Sequence, residues 1–174
     1  GVSMQAKDDP RYLIYADPTF SDDFGVGMGS YYGGISAPVE FITYDELLFM
    51  KAEATVRSGG SIAAAQSIYQ NAITANMQKL GVVAGDITVY VGTNGTLPAG
   101  AAGAVAQIAA EEYVALYLNP ETWAVWRRTG SPALTPLTGA NIPRRFLYPQ
   151  TEYSYNKANV ASSTLFAPKV FWDN

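Results

Sequence analysis

Hydrophobic and polar positions across residues 41–80 repeat with the period of two α-helices. Thr43 followed three residues later by Glu46 forms a capping box, which predicts the start of the first helix. Gly59 predicts its end, because a residue in the left-handed conformation commonly closes a helix. Ser61 is a suitable cap for the second helix. The stretch is therefore predicted to form an antiparallel, tetratricopeptide-like helical hairpin.

The two predicted helices differ in their apolar faces. Most of one face of the second helix is made by Ile62, Ala65, Tyr69, Ala72, Ile73, Asn76 and Leu80. The first helix has two apolar stripes, one formed by Leu47, Met50 and Ala54 and the other by Leu48, Ala52 and Val56. A helix that is apolar on two sides is expected to have neighbours on two sides. The hairpin is therefore predicted to lie inside a larger helical array.

The segments before and after the hairpin are less periodic. Residues 1–40 are predicted to be a loop-rich lead-in, with a short strand at Tyr12–Tyr15 and a glycine-rich loop over residues 21–34. The β-branched run Ile87–Val91 has strand propensity. Further helices are predicted over residues 104–128, interrupted at Asn119-Pro120.

The last part of the chain, residues 129–174, is predicted to be an irregular tail held over the helices by hydrogen bonds. The predicted fold class is thus mainly α, with long irregular segments at both ends. The 174 residues are enough for a sizeable core, and we expect residues 1–174 to form one compact unit.

Composition excludes several classes of function. The net charge is −4, whereas nucleic-acid binding needs a basic surface, so no nucleic-acid partner is expected. The chain has no cysteine and no histidine, which removes disulfides, Cys/His zinc sites and Ser-His-Asp triads. The acidic pair Asp22-Asp23 lacks the spacing of a calcium loop. We therefore predict neither a metal site nor a cofactor.

Four segments together resemble the SusD/RagB-like family of outer-membrane lipoproteins that capture nutrients in Gram-negative bacteria. They are the helix Tyr44–Ala54 with its Ala-Glu-Ala core, the Trp-x-x-x-Arg-Arg-Thr-Gly stretch within Glu121–Gly130, the run Ile142–Arg145, and the run beginning Tyr148-Pro-Gln-Thr-Glu152 and reaching Asn159. Each segment alone is weakly specific, whereas all four in register over residues 41–160 are fairly specific. The strand-like run at Ile87–Val91 departs from the family, which usually has a further helical piece there.

The resemblance implies a helical, tetratricopeptide-like fold and a chain that is the carboxy-terminal part of a protein several times longer. It also implies a location at the outer-membrane surface, with attachment only through a lipid anchor upstream of this chain. The implied function is non-catalytic capture of oligosaccharides or other nutrients, which a TonB-dependent, SusC-like transporter would receive. Family members differ widely in their ligand residues, so no ligand contact carries over.

Aromatic residues make up 13% of the chain, and their flat rings can stack on sugar C–H faces. Tyr31 and Tyr32 in the glycine-rich loop are the candidate sugar-binding residues, and Tyr31 or Tyr32 is expected to be exposed on a concave surface. A role for both in packing the loop down is the alternative. Trp123 and Trp126 lie in the more structural segment and are predicted to be mainly buried.

Two other classes of function remain open from the residues. A helical-repeat module that binds a protein or peptide would explain the hairpin equally well, although repeat proteins need several copies. A glycoside hydrolase would need two spaced carboxylates. The candidates are Asp22, Asp23, Glu111, Glu112 and Glu152, and no pair among them has favourable spacing. We therefore predict that the chain is not an enzyme.

Glu53, between the two apolar stripes, is predicted to be at least partly buried and to contact one arginine of the later segments. These arginines are Arg127, Arg128, Arg144 and Arg145. The alternative is a solvated pair of Glu53 with Arg57, four residues on, worth about 0.3–0.5 kcal/mol. A buried pair predicts a loss of about 3–5 kcal/mol on Glu53→Ala, and a solvated pair predicts less than about 0.5 kcal/mol.

Overall fold

The computed structural model of the protein describes residues 4–22 and 25–173. Its α-helices are α1 (Tyr12–Tyr15), α2 (Ser30–Gly33), α3 (Tyr44–Arg57), α4 (Ile62–Lys79), α5 (Ala84–Asn94), α6 (Ala101–Ala115), α7 (Glu121–Thr129) and α8 (Gln150–Tyr155). Strands β1 (Ala16–Asp22) and β2 (Gly25–Met28) pair antiparallel, and short 3-10 helices span Gln5–Lys7 and Lys157–Asn159. Helices account for 54% of the structure, which confirms the mainly α class.

The predicted hairpin is confirmed as α3 and α4, and its ends follow from local chemistry. The Thr43 side chain accepts from the Glu46 N–H while the Glu46 carboxylate accepts from the Thr43 N–H, so the capping box is complete. Gly59 has a φ of 83°, the left-handed conformation that glycine tolerates best. Ser61 then caps α4 by accepting from the N–H of Ala64 at 3.2 Å.

The core lies where α3 packs against α4 and α6, and α5 also packs against α4. Small residues such as Ala52, Ala65 and Ala72 are fully buried between the helices, and the rings of Phe49 and Tyr69 meet there at 6.2 Å. The second α3 stripe, with Leu48 and Val56, is buried as this packing requires. The other stripe is not: Leu47 and Met50 are 52% and 41% exposed, so the expectation of cover on both sides is wrong for that face.

Two local predictions are wrong, and the ambiguity over residues 81–103 is resolved. Tyr12–Tyr15 is a helical turn rather than a strand, and the glycine-rich stretch forms the β1–β2 hairpin and α2 rather than a loop. Ile87–Val91 lies within α5, because Ile87 and Tyr90, three residues apart, bury the same helical face against α4. Burial on that face outweighs the strand propensity of the β-branched residues, and a helical piece is what the family resemblance implied there.

The later helices agree with prediction to within a few residues. α6 ends at Ala115, three residues before the predicted end at Leu118. Leu118 has a φ of 61°, and this left-handed residue turns the chain before Asn119-Pro120. α7 ends at Thr129 and is capped by Gly130, with a φ of 69°. Beyond it the chain, as far as the described residue 173, is irregular apart from α8 and one 3-10 turn, as predicted for the tail.

Candidate functional site

Four tyrosines from three segments meet beside the end of α6, and we call Tyr15, Tyr31, Tyr32 and Tyr117 the tyrosine cluster. Tyr15 is buried, and its ring stacks on Tyr117 with the centroids 4.6 Å apart. The Tyr32 ring lies 5.7 Å from Tyr15 and 5.5 Å from Tyr117. Tyr31 contacts Tyr32 edge to face at 4.8 Å. These separations are typical of favourable aromatic pairs.

A glycine allows α2 to approach α1 closely enough for these rings to meet. The Gly29 N–H donates to the carbonyl of Tyr15 at 3.0 Å. A Cβ at this position would lie 1.9 Å from the carbonyl oxygen of Ile14. No side chain fits at that distance, so Gly29 is a requirement of the cluster.

A pocket of about 290 Å³ opens beside Tyr32, and we call it the tyrosine pocket. Its lining includes Tyr32, Tyr117, Val39, Glu40, Asn119 and Pro120. Asn119 is held in place because its Oδ1 accepts from the N–H of Glu121 at 2.9 Å, at the start of α7. The pocket therefore combines ring faces and an apolar wall with an amide and a carboxylate.

Glu40 is the charged group of the tyrosine pocket, and it has two partners. Lys79 Nζ lies 3.0 Å from its Oε2, and the Tyr31 hydroxyl donates to its Oε1 at 3.1 Å. Burial, followed by the hydrogen bond to Glu40 and its negative charge, raises the pKa of Tyr31 to about 12. Burial also raises the pKa of Tyr32. Both phenols are therefore neutral at pH 7 and keep a proton to donate.

The two predicted sugar-binding tyrosines are half-buried rather than fully exposed. Tyr32 lines the concave pocket, whereas Tyr31 contacts it through Tyr32 and Glu40. Both also pack within the tyrosine cluster, which is what the packing alternative required. Tyr117 was missed, because its place at the end of α6 gave no signal that it would face α2.

Glu53 is 3% exposed and contacts both predicted alternatives, a later arginine (Arg128) and the local Arg57. Its Oε1 accepts from Arg128 Nη1 of α7 and, at 2.5 Å, from Arg57 Nε one turn along α3. The predicted contact with a later arginine is thus present, and so is the local pair. Glu53 joins α3 to α7.

Glu53→Ala is expected to lower the free energy of unfolding by about 1–2 kcal/mol, less than a buried pair suggests by itself. The side chains left behind, Arg128 and Arg57, are 37% and 49% exposed and can be hydrated once Glu53 is gone. Urea unfolding at pH 7 measures the change. A loss above about 3 kcal/mol would mean that the arginines remain dehydrated, and a loss below about 0.5 kcal/mol would mean that the contact is solvated.

The other arginines of the four family-like segments bind the tail to α7 and to the run at residues 142–145. The Arg127 guanidinium lies between the rings of Trp123 and Trp172, at 3.6 and 4.4 Å from their centroids. Arg144 forms an ion pair with the buried carboxylate of Asp173 and lies 4.5 Å from the Trp126 ring centroid.

Arg145 donates to the carbonyl of Pro168 at 3.3 Å and so also reaches the tail. Trp126 is buried as predicted, whereas Trp123 is half-buried, its Nε1 donating to the carbonyl of Pro143 at 2.8 Å. Both tryptophans therefore make contacts that hold the tail in place.

Arg11 and Glu112 are buried ionic groups whose surroundings the sequence pattern does not reveal. Arg11 is fully buried and contacts Asp9, Asn76, Tyr90 and Glu111. Its partners come from positions as far as 100 residues away, which no local pattern reveals.

Glu112 is 1% exposed, and its Oε2 has no hydrogen-bond partner among the described residues. Burial raises its pKa to about 8, opposed by Arg128 and assisted by the charges of Glu53 and Glu46. Glu112 therefore carries a proton over much of the range below pH 8.

The carboxylates considered for hydrolysis are not brought together as a pair facing a pocket. Glu111 and Glu112 are adjacent in α6 but have different surroundings, the former beside Arg11 and the latter beside Arg128. Glu152 accepts from Asn156 within the tail. Asp23 lies outside the described residues, and for Asp22 the backbone alone is described. Among the described residues, no cluster of metal-ligating side chains is found.

Within residues 4–22 and 25–173, no helix has both the length and the apolar character that crossing a membrane requires.

Comparison with known proteins gives one family and related solved structures. A family model for SusD-like proteins, described as starch-binding and associating with the outer membrane, matches residues 3–149. A solved structure described as Bacteroidetes AC2a SusD-like is 29% identical, with a TM-score of 0.66. The alignment covers 76% of this chain and 30% of that chain, so this chain spans about a third of the length of that neighbour. The comparison with curated proteins gives no match.

The family match confirms the resemblance drawn from four sequence segments and agrees with the predicted outer-membrane location. It covers most of the chain, from the lead-in through α7 to Pro149. This chain therefore belongs to the SusD-like family, described as starch-binding and associating with the outer membrane.

Proposed function

We propose that this chain takes part in non-catalytic binding of neutral glycans, starch-type oligosaccharides first, at the outer surface of a Gram-negative bacterium. Membership of a family described as starch-binding is the observation that carries the proposal. The tyrosine pocket is the proposed contact surface, since Tyr32 and Tyr117 offer ring faces beside the polar groups of Asn119 and Glu40. Rings that stack on sugar faces with polar groups at their edges are typical of such sites.

The pocket's size and charge fit a small neutral portion of a glycan. Its volume of about 290 Å³ is near the lower end of the range of about 300–1,000 Å³ for small-molecule sites. The Glu40 carboxylate is already paired with Lys79, and its oxygens can accept hydrogen bonds from sugar hydroxyls. The neutral Tyr32 hydroxyl adds a donor and acceptor at the same rim.

Delivery to a transporter is the part of the proposal that concerns the whole protein. By family resemblance, a SusC-like, TonB-dependent transporter would receive the captured oligosaccharide, and a lipid anchor upstream of this chain would hold the protein at the membrane. The solved neighbour is about three times longer than the part aligned with this chain, so these functions need more than the described helices.

Tyr32→Ala is expected to weaken binding of a starch oligosaccharide by about three- to tenfold, which corresponds to the roughly 0.5–1.5 kcal/mol of one aromatic contact. Titration calorimetry well below the melting temperature measures the affinity. Tyr155→Ala is the matched control, because Tyr155 is 90% exposed and lies outside the tyrosine pocket. Tyr32→Phe, which keeps the ring, separates stacking from the hydroxyl.

Two results would count against this site. Equal losses in the Tyr32→Ala and Tyr155→Ala variants would show that any tyrosine on the surface has the same effect. Unaltered affinity of the Tyr32→Ala variant would mean that the tyrosine cluster only packs the structure and does not bind sugar. If the chain binds no starch oligosaccharide at all, the site lies in, or is shared with, the remainder of the whole protein.

A peptide-binding helical module is the second candidate, favoured by one specific observation. The α3 face that carries Leu47 and Met50 is apolar and exposed, and such faces can bind a partner helix. A glycan array run in parallel with a peptide pull-down separates the two functions. Binding to peptides alone would favour this second candidate.

A further inference from the structure

Asp45, in the first turn of α3, is a buried carboxylate that lies outside the lining of the tyrosine pocket. Because α3 and α4 form an antiparallel hairpin, this turn lies beside the last turn of α4, which ends at Lys79. The helix dipole favours an acidic residue at a helix start and a basic residue at a helix end. The hairpin thus brings the two side chains together, with Lys79 Nζ 3.2 Å from Asp45 Oδ2.

Lys79 connects Asp45 to the tyrosine pocket. Its Nζ also lies 3.0 Å from Oε2 of Glu40, a residue of the pocket lining, whose Oε1 accepts from the Tyr31 hydroxyl at 3.1 Å. The Lys79 side chain is only 21% exposed, so water screens these ion pairs less than it screens pairs on the open surface. Two carboxylates therefore hold the flexible lysine side chain in one place.

Glu40 anchors the chain segment that forms one wall of the tyrosine pocket. This segment, residues 34–43, is irregular and joins α2 to α3. Val39 within it lines the pocket and yet is 83% exposed. Phe41 and Ile42, farther along the segment, are exposed as well. Exposed side chains contribute little packing that could hold a segment in place, so the contacts of Glu40 fix this wall.

Asp45 is itself held from the interior of the protein. The fully buried Asn76 of α4 donates through Nδ2 to Asp45 Oδ2 at 2.7 Å, and its Oδ1 accepts from Arg11 Nη1 at 2.9 Å. Arg11 is also fully buried, and it forms ion pairs with Asp9 and Glu111. A continuous series of polar contacts therefore runs from the buried arginine through Asp45 to the wall of the pocket, and such contacts strengthen one another.

We propose that Asp45 is a positioning residue of the tyrosine pocket, acting through Lys79 and Glu40 on the pocket wall without contacting the ligand. The inference rests on the proposed function of this pocket in binding neutral glycans. With Asp45 charged, Lys79 stays beside Glu40, and the segment at residues 34–43 stays against the tyrosine cluster. Without that charge, Lys79 and Glu40 can turn together toward water, and the ligand must order the wall when it binds, which lowers the affinity.

Asp45→Asn tests the proposal, because asparagine keeps the size of the side chain and an acceptor for Asn76 but removes the charge that holds Lys79. Titration calorimetry with maltoheptaose, a starch oligosaccharide, is expected to show an affinity about threefold below that of the wild type, the effect of losing one partly exposed ion pair. Asp86→Asn is the matched control. It makes the same change in the first turn of α5, at an exposed residue outside the tyrosine pocket, and should leave the affinity unaltered.

A double-mutant cycle separates positioning from a general effect on the fold. In a Glu40→Gln background, Asp45→Asn should lower the affinity little further, because its route to the pocket is already broken. Lys79→Gln should lose about as much affinity as Asp45→Asn, whereas Lys79→Arg, which keeps a cation for both carboxylates, should bind nearly as well as the wild type. Lys79 is partly exposed, so these two variants provide the test if Asp45→Asn does not fold.

Two results would overturn the proposal while the wild type binds maltoheptaose. Wild-type affinity in both Asp45→Asn and Lys79→Gln would show that this series of contacts does not act on the pocket. Equal losses from Asp45→Asn with and without Glu40→Gln would show that Asp45 acts through the fold as a whole. If the wild type itself binds no maltoheptaose, the proposed function fails and this inference fails with it, so the two failures are distinguishable.

Discussion

Replacing Arg11 with methionine is expected to lower the free energy of unfolding by about 3–5 kcal/mol. Arg11 is fully buried, donating to Asp9 through Nε at 2.9 Å and to Asn76 through Nη1 at 2.9 Å, and it forms an ion pair with Glu111. Methionine keeps much of the length of the side chain but leaves two carboxylates, those of Asp9 and Glu111, buried without their cation. Such removal of one partner is among the costliest single substitutions.

The charges around Arg11 support this estimate. Burial by itself would lower the pKa of Arg11, yet the attraction of Glu111 and Asp9 raises it well above the ordinary value. Lys7 lies 3.7 Å from Glu111 but is 36% exposed, so it can replace little of the lost interaction.

Urea unfolding at pH 7 measures the Arg11→Met effect, with Arg57→Met as the control. The Arg57 side chain is 49% exposed, and its loss should cost less than about 1 kcal/mol. Adding Glu111→Gln to Arg11→Met should recover part of the stability, since one uncompensated charge is removed with it. If Arg11→Met costs no more than Arg57→Met, the buried network contributes nothing beyond a surface pair.

Glu112→Gln is expected to stabilise the protein increasingly as the pH rises. The folded-state pKa of about 8 exceeds the ordinary value of 4.5, so the contribution of Glu112 to stability is complete below about pH 4.5 and is lost progressively up to about pH 8. Glutamine has no proton to lose. The variant should therefore match the wild type near pH 4.5 and exceed it by about 2–4 kcal/mol at pH 8 and above.

Urea unfolding across this pH range tests the Glu112 prediction. Glu121→Gln is the control, because Glu121 is exposed on α7 and its replacement should give a small difference at every pH. A difference between Glu112→Gln and the wild type that does not vary with pH would show that Glu112 is ionised in the folded protein throughout.

Sequence patterns predicted those parts of the fold that short-range chemistry decides. The capping box at Thr43 and the left-handed glycines Gly59 and Gly130 fix helix ends through neighbours a few residues away. Ile87–Val91 was harder, because its β-branched residues favour a strand while the spacing of Ile87 and Tyr90 suits a helix. The packing of that face on α4 decided between them.

The candidate sites depend on contacts that sequence patterns do not contain. Tyr32 could be proposed from its loop, but Tyr117 joins it only because the end of α6 folds against α2. Arg127 and Arg144 were recognisable as a family feature, whereas the contact of Arg127 with Trp172 and the ion pair of Arg144 with Asp173 required the end of the tail to return to these arginines. Partners far apart in the chain become apparent only in the folded structure.

The attachment of Trp172 to α7, and of Asp173 to Arg144, closes the preceding tail into a loop. It leaves α7 at Gly130 and is tied back about 40 residues later. The entropic cost of closing a flexible loop grows only with the logarithm of its length, so doubling the length adds about 0.6 kcal/mol. The stretch around Tyr155, which is exposed, can therefore be lengthened at little cost in stability while the anchored end keeps its place.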